Sequence, residues 1–426
     1  MKVYKFGGAS VNSANAVRNM ASIVVNGIDS EPLIVVVSAM GKTTNLLERL
    51  VPGVSSVVDV VGLKSQLKEY HYGIARELLP NNETVTLRLD ELFVQVDSIL
   101  TKLSPTTGMY NYNYDQVVSF GELLSTTIIA EYLNSLGISA KWLDARNMLC
   151  TDDKYREGNI EWHATESFVN RQVAENNSYS VLLTQGFIGG TTDGNTTTLG
   201  REGSDYSAAV IAYCVEAESV TIWKDVPGFL NADPKFFSNT LKIERLPYSD
   251  AIELAYYGAS VIHPKTVKPI QNKGIPLFIK SFIAPEEKGS IIGNFESIEP
   301  HTPLYIFKNN QILLSVSPRD YSFVAEDRLQ QIFGVLSSVG AKVNMMQNSA
   351  LSFSICIDNN PMLLEELKNR LNAMFRVRYN DNLQLITIRY YNQKVVDDTV
   401  KSRPVLLEQR SRHTAQLLVP LLGNEE

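Results

Sequence analysis

Short, nearly unbroken apolar runs recur through the first 300 residues or so. They fall at Lys2–Phe6, Leu33–Ser38, Val181–Gly186, Val220–Trp223 and Pro276–Lys280. Runs this short and apolar on both faces are the pattern of strands buried within a parallel sheet. Between them, apolar residues repeat at helical spacing. Val17, Met20, Ala21 and Val24 form one such series; Leu124, Ile128, Ile129, Tyr132 and Leu136 form another, stopped by Gly137. Strands alternating with helices predict an α/β fold, with an open, mostly parallel sheet sandwiched by helices. Residues 51–105 carry long helical stretches with weak punctuation and no assignable chemistry.

The rhythm changes after a stretch dense in glycine and proline: Pro285, Gly289, Gly293, Pro300 and Pro303. Such a stretch marks a domain boundary, giving a first domain over 1–299 and a second over 300–426. Beyond it the pattern predicts strand Ile312–Val316, helix Arg328–Val339, strands Lys342–Met346 and Ser352–Ile357, helix Met362–Met374 and strand Leu383–Tyr390. This β-α-β-β-α-β order is the ferredoxin-like α+β arrangement, one full unit over about 310–382. A second, shortened unit follows, with a helix at Val395–Val400 and a strand at Thr414–Val419.

Composition narrows the function. Lys plus Arg number 39 and Asp plus Glu 46 in 426 residues, a formal charge of −7. An acidic total argues against a general nucleic-acid or membrane-surface binder. Cys150, Cys214 and Cys356 lie far apart without a C-x-x-C pair, as expected of reduced intracellular thiols and not of a disulfide framework or zinc site. No signal-peptide pattern precedes the first strand, and no apolar run approaches a membrane span, so a cytoplasmic protein is expected.

Several polar motifs sit at predicted strand ends. The run Thr197-Thr198-Leu199-Gly200-Arg201-Glu202-Gly203-Ser204-Asp205-Tyr206-Ser207 gathers a fork-shaped cation, carboxylates, two glycines and hydroxyls. It suits a small, highly charged ligand, because glycines admit backbone N–H groups to an anion and arginine clamps a carboxylate or phosphate bidentately. Its other reading is a hydroxyl-rich helix cap. Lys5-Phe6-Gly7-Gly8-Ala9-Ser10 puts glycines between a strand and a helix start, an anion site with a mobile cation, or simply a tight turn. Ser38-Ala39-Met40-Gly41-Lys42-Thr43-Thr44-Asn45 tempts a P-loop assignment, but the glycine required five residues before Gly41 is Val36. Its hydroxyls instead suit a polar substrate at a strand's carboxyl end, or a helix cap. Ser119-Phe120-Gly121-Glu122 opens a helix, where an acid is favoured by the macrodipole alone. Trp223-Lys224-Asp225-Val226-Pro227-Gly228 reads as a structured loop, and Gly258-Ala259-Ser260-Val261-Ile262-His263-Pro264 as a helix end followed by a turn. His263 is read as structural.

In this order and spacing, these motifs over residues 2–264 resemble the aspartate kinases of the amino acid kinase superfamily, and the remainder resembles that family's ACT-type regulatory region. The resemblance implies ATP- and Mg2+-dependent phosphorylation of the β-carboxylate of L-aspartate to 4-phospho-L-aspartate, the first step toward lysine, threonine and methionine. It casts Lys5 and Asp205 as catalytic. Ser38, Thr44, Glu122, Arg201 and Ser204 would bind aspartate, Arg201 at the α-carboxylate and Glu122 at the ammonium. Lys5, Gly7, Gly8, Lys224, Asp225, Leu230, Lys235, Ser260 and Val261 would line the nucleotide. Many members carry lysine in place of Ser260, an aromatic in place of Leu230 and arginine in place of Lys235; Lys224 replaces a commoner threonine and is expected to supply the missing cation. In the regulatory region Ser322 stands where a glycine is usual, while Asn344 and Ser349 keep the following strand and turn polar. Homo-oligomerisation through these units is expected, and they admit an amino-acid effector. Two alternatives are another kinase of the superfamily, acting on glutamate or acetylglutamate, and a non-catalytic amino-acid sensor on a decayed kinase scaffold.

Overall fold

A computed structural model describes residues 1–52, 59–103, 107–237, 239–259, 261–320 and 322–421. The chain divides into two units: Met1–Phe229, Lys242–Ala255 and Ser260–Pro300 form the first, and Leu230–Leu241, Tyr256–Ala259 and His301–Glu426 the second.

The first unit is built on an eight-stranded sheet. Its spatial order is Arg245–Pro247, Ser290–Gly293, Leu277–Ser281, Ser219–Lys224, Lys2–Phe6, Leu33–Val37, Val181–Gln185 and Ala140–Leu143. The six strands from Leu277–Ser281 onward are parallel, and the two at the other edge run against them. The central strand Leu33–Val37 is buried at every position, which is what two helix-covered faces require of a β-branched apolar run. Two helices at the sheet, Phe120–Ser135 and Gly203–Cys214, are buried on nearly every side. Such helices are apolar all round, so a carboxylate on one is costly and calls for a reason. Glu122 and Asp205 are two such carboxylates.

The chemically silent stretch after residue 51 is structural. Helices Val60–Leu78 and Glu83–Lys102 contribute Leu63, Leu67, Ile74, Leu89 and Phe93 to the core that also holds Leu123 and Leu124. His71 lies fully inside this layer, between the Leu67 carbonyl at 2.8 Å and the Thr43 hydroxyl at 3.4 Å.

The second unit is a six-stranded antiparallel sheet ordered Val343–Asn348, Phe353–Asp358, Leu304–Pro318, Phe375–Arg389, Thr414–Pro420 and Leu407–Arg410. Helices Glu326–Ser338 and Pro361–Asn372 cover Ile312, Leu314, Ile355 and Phe375, the ferredoxin-like arrangement expected. The third helix, Gln393–Val400, covers Ile386, Ile388 and Leu417. The strand Leu407–Arg410 has no counterpart in the sequence reading, because its residues alternate Leu-Glu-Gln-Arg with a single apolar side chain. The two long central strands are each shared between the halves, their pairing shifted in register on either side of Gln311. Leu230–Leu241 belongs to this unit through aromatic packing: Phe236 stacks on Phe307 with centroids 4.9 Å apart, and Phe237 on Tyr305 at 4.8 Å.

Burial lowers the affinity of the His71 ring for a proton, to a pKa of about 4, with the Leu67 carbonyl pulling weakly the other way. Its depressed value makes a stability contribution that is whole above the unfolded histidine value of about 6.5 and is lost as pH falls through about 4. In a histidine NMR titration of the folded protein, the His71 ring signals stay at the neutral position until about pH 4; a midpoint near 6.5 would contradict its burial.

Candidate active site

Three of the sequence motifs meet at one residue, Ala39. Its carbonyl lies where a side chain on Gly8 would stand, 2.8 Å from an ideal Cβ, and its own methyl lies 2.9 Å from an ideal Cβ on Gly121. Only glycines let the first turn and the Phe120–Ser135 helix approach this closely. Hydrogen bonds fix the junction: Ser38 N–H donates to the Phe6 carbonyl at 3.1 Å, the Ser125 hydroxyl to the Ser38 carbonyl at 2.8 Å, and Gly41 N–H to the Gly8 carbonyl at 3.1 Å. Ser38 and Thr44 are thereby held, half-buried, at the carboxyl end of the central strand. The helix Thr43–Glu48 takes no side-chain cap, and the Thr43 hydroxyl donates to the Met40 carbonyl, so the capping role is not what these hydroxyls serve.

Lys5, on the neighbouring strand, is only 7% exposed, and its ammonium reaches over Gly7. It pairs with Asp205 Oδ1 at 2.6 Å, while Lys224 Nζ lies 3.2 Å from Asp205 Oδ2. Lys224 also donates to the Val261 carbonyl. Asp205 stands in the first turn of the Gly203–Cys214 helix and is 2% exposed. Burial by itself would push its carboxyl up, but Lys5 and Lys224 outweigh that and hold it below the usual carboxylate range. Two ammoniums face Asp205 at a helix start, and Lys224, Arg201 and Lys5 also act on the neighbouring Glu202 carboxyl, which burial pushes up. An anion entering here would meet these cations together with a helix N-terminus.

Glu122 is the second buried carboxylate. Oε1 accepts the Ala39 N–H at 3.3 Å, while Oε2 is fully buried without a hydrogen-bond partner. Burial pushes this carboxyl up to about 8, against the Ala39 N–H bond and the charge of Lys5. An unsatisfied buried oxygen of this kind is expensive unless a donor arrives with a ligand.

Arg201 follows Gly200, which has φ +78°, and is exposed. With Tyr112, Tyr114, Arg156, Phe187 and Thr198 it lines a cleft of about 1080 Å³. Lys5, Asp205 and Glu122 are not on the wall of this cleft. The reacting centre is better marked by the buried charges than by the wide cleft, since volume gives access but no charge compensation. Ser204 is buried against Gly186, where an ideal Cβ would come within 2.6 Å of Ser204 Cβ. No hydroxyl caps the Gly203–Cys214 helix: its N-cap is Glu202, in the left-handed region at φ +52°. The charged-ligand reading of this run therefore gains over the capping one.

The remaining residues expected at the nucleotide are more dispersed. Asp225 is exposed just past the strand Ser219–Lys224. Leu230 and Lys235 fall in the second unit, Lys235 N–H donating to Asp233 Oδ1 at 2.9 Å. Ser260 lies outside the described residues. His263 accepts the Lys265 N–H as the cap of helix Pro264–Lys273, the structural role read for it. Among the described residues no group of three or more His, Cys, Asp or Glu side chains is placed to hold a metal, and no helix is long and apolar enough to cross a membrane. The sequence reading missed Asp115 and Gln116, whose side chains bind the strand Thr196–Thr198; nothing in their local pattern marks them.

A sequence profile of the amino acid kinase family matches residues 1–281. The chain is 30% identical over 396 residues to lysine-sensitive aspartokinase 3 of Escherichia coli, spanning 91% of this chain and 86% of that protein. It is 32% identical over 376 residues to chloroplastic aspartokinase 1 of Arabidopsis thaliana, spanning 86% of this chain and 64% of that one. In structure it is similar to E. coli aspartokinase III in complex with aspartate and ADP, with a TM-score of 0.83, 27% identity and coverage of 99% and 96%. The same enzyme in complex with lysine and aspartate gives a TM-score of 0.81 at 28% identity, with the same coverage. Buried lysines around Asp205, the unsatisfied Glu122 and this likeness over nearly the whole chain agree: the protein belongs to the amino acid kinase family, among the aspartokinases.

Proposed function

We propose that this chain transfers the γ-phosphoryl group of ATP to the β-carboxylate of L-aspartate, forming 4-phospho-L-aspartate. The observation that carries the proposal is a buried Lys5–Asp205–Lys224 cluster in the same unit as a buried glutamate with one oxygen unpartnered. A carboxylate acceptor with an ordinary pKa of about 3.9 is already ionised, so the site has no need of a general base. Its work is alignment and charge compensation. Lys5 and Lys224 neutralise charge on the transferring group and the backbone at Gly7 and Gly8 donates to it. Glu122 receives the aspartate ammonium, Arg201 clamps the α-carboxylate, and Ser38, Thr44 and Ser204 complete the acceptor pocket. Lys224, Asp225 and Val261 border the nucleotide.

Mg2+ characteristically takes one or two carboxylates and fills its other positions with phosphate oxygens and water. Asp205 is held ionised, and it would hold the ion with the nucleotide once Lys5 and Lys224, which take both of its oxygens, turn to the phosphates. When bound, the ion neutralises charge on the β- and γ-phosphates. The second unit supplies the place for an amino-acid effector, as lysine is bound by the E. coli enzyme. Its edge strand Val343–Asn348 and the exposed Phe323, Met346 and Leu351 suit self-association.

The direct test is ATP-dependent hydroxamate formation with hydroxylamine. Aspartate gives a signal; glutamate and acetylglutamate do not. No signal with aspartate would sink the proposal. Repeating the assay with lysine, threonine and methionine tests the effector.

Glu122 makes acceptor binding pH-dependent. Its raised folded value means that its contribution to stability is full below the unfolded carboxyl value and is lost as pH rises through about 8. Binding an ammonium requires the ionised form, so near pH 7 aspartate binding releases close to one proton. Calorimetry in buffers of differing ionisation enthalpy counts that proton, and Glu122→Gln abolishes its release while raising KM for aspartate about a hundredfold, near 3 kcal/mol. A zero proton count in the unaltered enzyme would contradict this role.

On the nucleotide side, Lys224→Thr raises KM for ATP about tenfold, near 1.4 kcal/mol, with KM for aspartate little moved. An unchanged KM for ATP would show that Lys224 does not stand in for the lysine that other members carry at position 260.

A further inference from the structure

The strand Thr196–Thr198 pairs along one edge with Ile188–Gly190. Its other edge meets two side chains and, at the Thr198 carbonyl, the Gly158 N–H at 2.9 Å. Gln116 Nε2 donates to the Thr196 carbonyl at 2.7 Å and its Oε1 accepts the Thr196 N–H at 3.2 Å. Asp115 Oδ2 accepts the Thr198 N–H at 2.9 Å, and Oδ1 accepts the Thr198 hydroxyl at 2.7 Å. Asp115 Oδ2 also accepts the Arg156 N–H at 2.8 Å. Consecutive residues of the helix Tyr110–Val118 thus take the place of a third strand.

What these bonds hold in place is informative. Three residues beyond Thr198 stands Arg201. Arg156 has φ +69°, a conformation that side-chain-bearing residues adopt only when their surroundings impose it. Its guanidinium carbon lies 4.2 Å from the Tyr114 ring centroid and 5.5 Å from that of Tyr110, and it reaches Glu48 at 3.9 Å. The loop is therefore pinned to the Tyr110–Val118 helix twice, by backbone at Asp115 and by side chain at Tyr114. That helix runs through Ser119 into Phe120–Ser135, which carries Glu122. Arg156, Thr198 and Arg201 all line the wide cleft.

We propose that Asp115 is a positioning residue for the acceptor end of the site, fixing the strand that delivers Arg201 and the loop that carries Arg156 to the helix that leads into Glu122. The proposal rests on the reading of this cleft as the aspartate side. Asp115 touches no reacting atom; it acts through Thr198 and Arg156. All three partners donate to the carboxylate; a protonated or amide side chain keeps the contacts only by turning the Thr198 hydroxyl into an acceptor, and it loses the charge that strengthens them. Burial pushes the Asp115 carboxyl up to about 6, against the bonds from Arg156 and Thr198. The charged and titratable groups that interact with it are Arg156 and Tyr155 from the loop and Tyr114 from its own helix, while Thr198 on the strand is neutral.

The test is Asp115→Asn beside Thr198→Val, which removes only the hydroxyl bond. Asp115→Asn is expected to raise KM for aspartate at least tenfold and leave KM for ATP within twofold; Thr198→Val gives a smaller rise of about threefold. In the unaltered enzyme, log kcat/KM for aspartate falls with unit slope below about pH 8, where Glu122 takes its proton, and steepens to a slope of two below about pH 6. Asp115→Asn removes the second break and keeps the first. Hydrogen exchange read by mass spectrometry supplies an arm independent of the acceptor: residues 196–203 and 153–158 exchange faster in Asp115→Asn, while 181–185 do not change. Faster exchange confined to those segments supports the positioning role even if the enzyme turns over some acceptor other than aspartate. Unchanged exchange there, or KM for aspartate and ATP rising in step, overturns it. Should Asp115→Asn fail to fold, an unchanged KM for aspartate in Thr198→Val overturns it as well.

Discussion

Asp205 is held between two lysines in a place where a lone carboxylate could not stay ionised. Lys5 comes from the first strand and Lys224 from the strand beside it, and both reach the start of a helix that is apolar on nearly every side. A buried ion pair of this kind is poor evidence for stability, because desolvation consumes most of what the attraction supplies. It serves better as a fixed charge arrangement, already arranged before any ligand arrives. The same principle explains Glu122, whose unpartnered oxygen leaves a deficit that only a ligand can cancel. Asp205 is paired with two lysines of the protein, while Glu122 keeps an oxygen without a hydrogen-bond partner.

The scaffold brings these charges together through close approach. Gly8 and Gly121 converge on Ala39, and Gly186 on Ser204, in each case at a spacing that excludes a Cβ. The motifs that look like separate turns in the sequence are thus one packed junction at the carboxyl ends of parallel strands, where open α/β sheets place their ligands. The helices Val60–Leu78 and Glu83–Lys102 carry no site chemistry, yet they back the Phe120–Ser135 helix and enclose His71 against Thr43.

Much of this was legible beforehand. Short unbroken apolar runs and period-3.6 patterns marked most strands and helices of the main sheet, and the glycine and proline density after Ala284 marked a change of architecture. Lys5, Glu122, Arg201 and Asp205 stood out through the family resemblance that their motifs carry together, since each motif alone also had a structural reading. Asp115 and Gln116 did not stand out: an acid and an amide within a tyrosine- and asparagine-rich helix look like a solvated face, and only the neighbouring strand gives them meaning. The strand Leu407–Arg410 was hidden for the opposite reason, as an edge strand needs only one apolar side chain. Leu230 and Lys235 follow closely on Lys224 and Asp225 in sequence, yet packing assigns them to the second unit, where Phe236 and Phe237 meet Tyr305 and Phe307.

The sequence by itself determined the class of fold, the two-part organisation and the residue types from which a site for a small charged ligand is made. These depend on local periodicity and on the chemistry of single residues, which are written in chain order. Only the tertiary structure decided which charges oppose one another, which oxygen is left unpaired and how far each proton affinity moves. Those quantities depend on burial and on distances of a few ångströms between residues as far apart as 5 and 224 in the chain, and no local pattern records them.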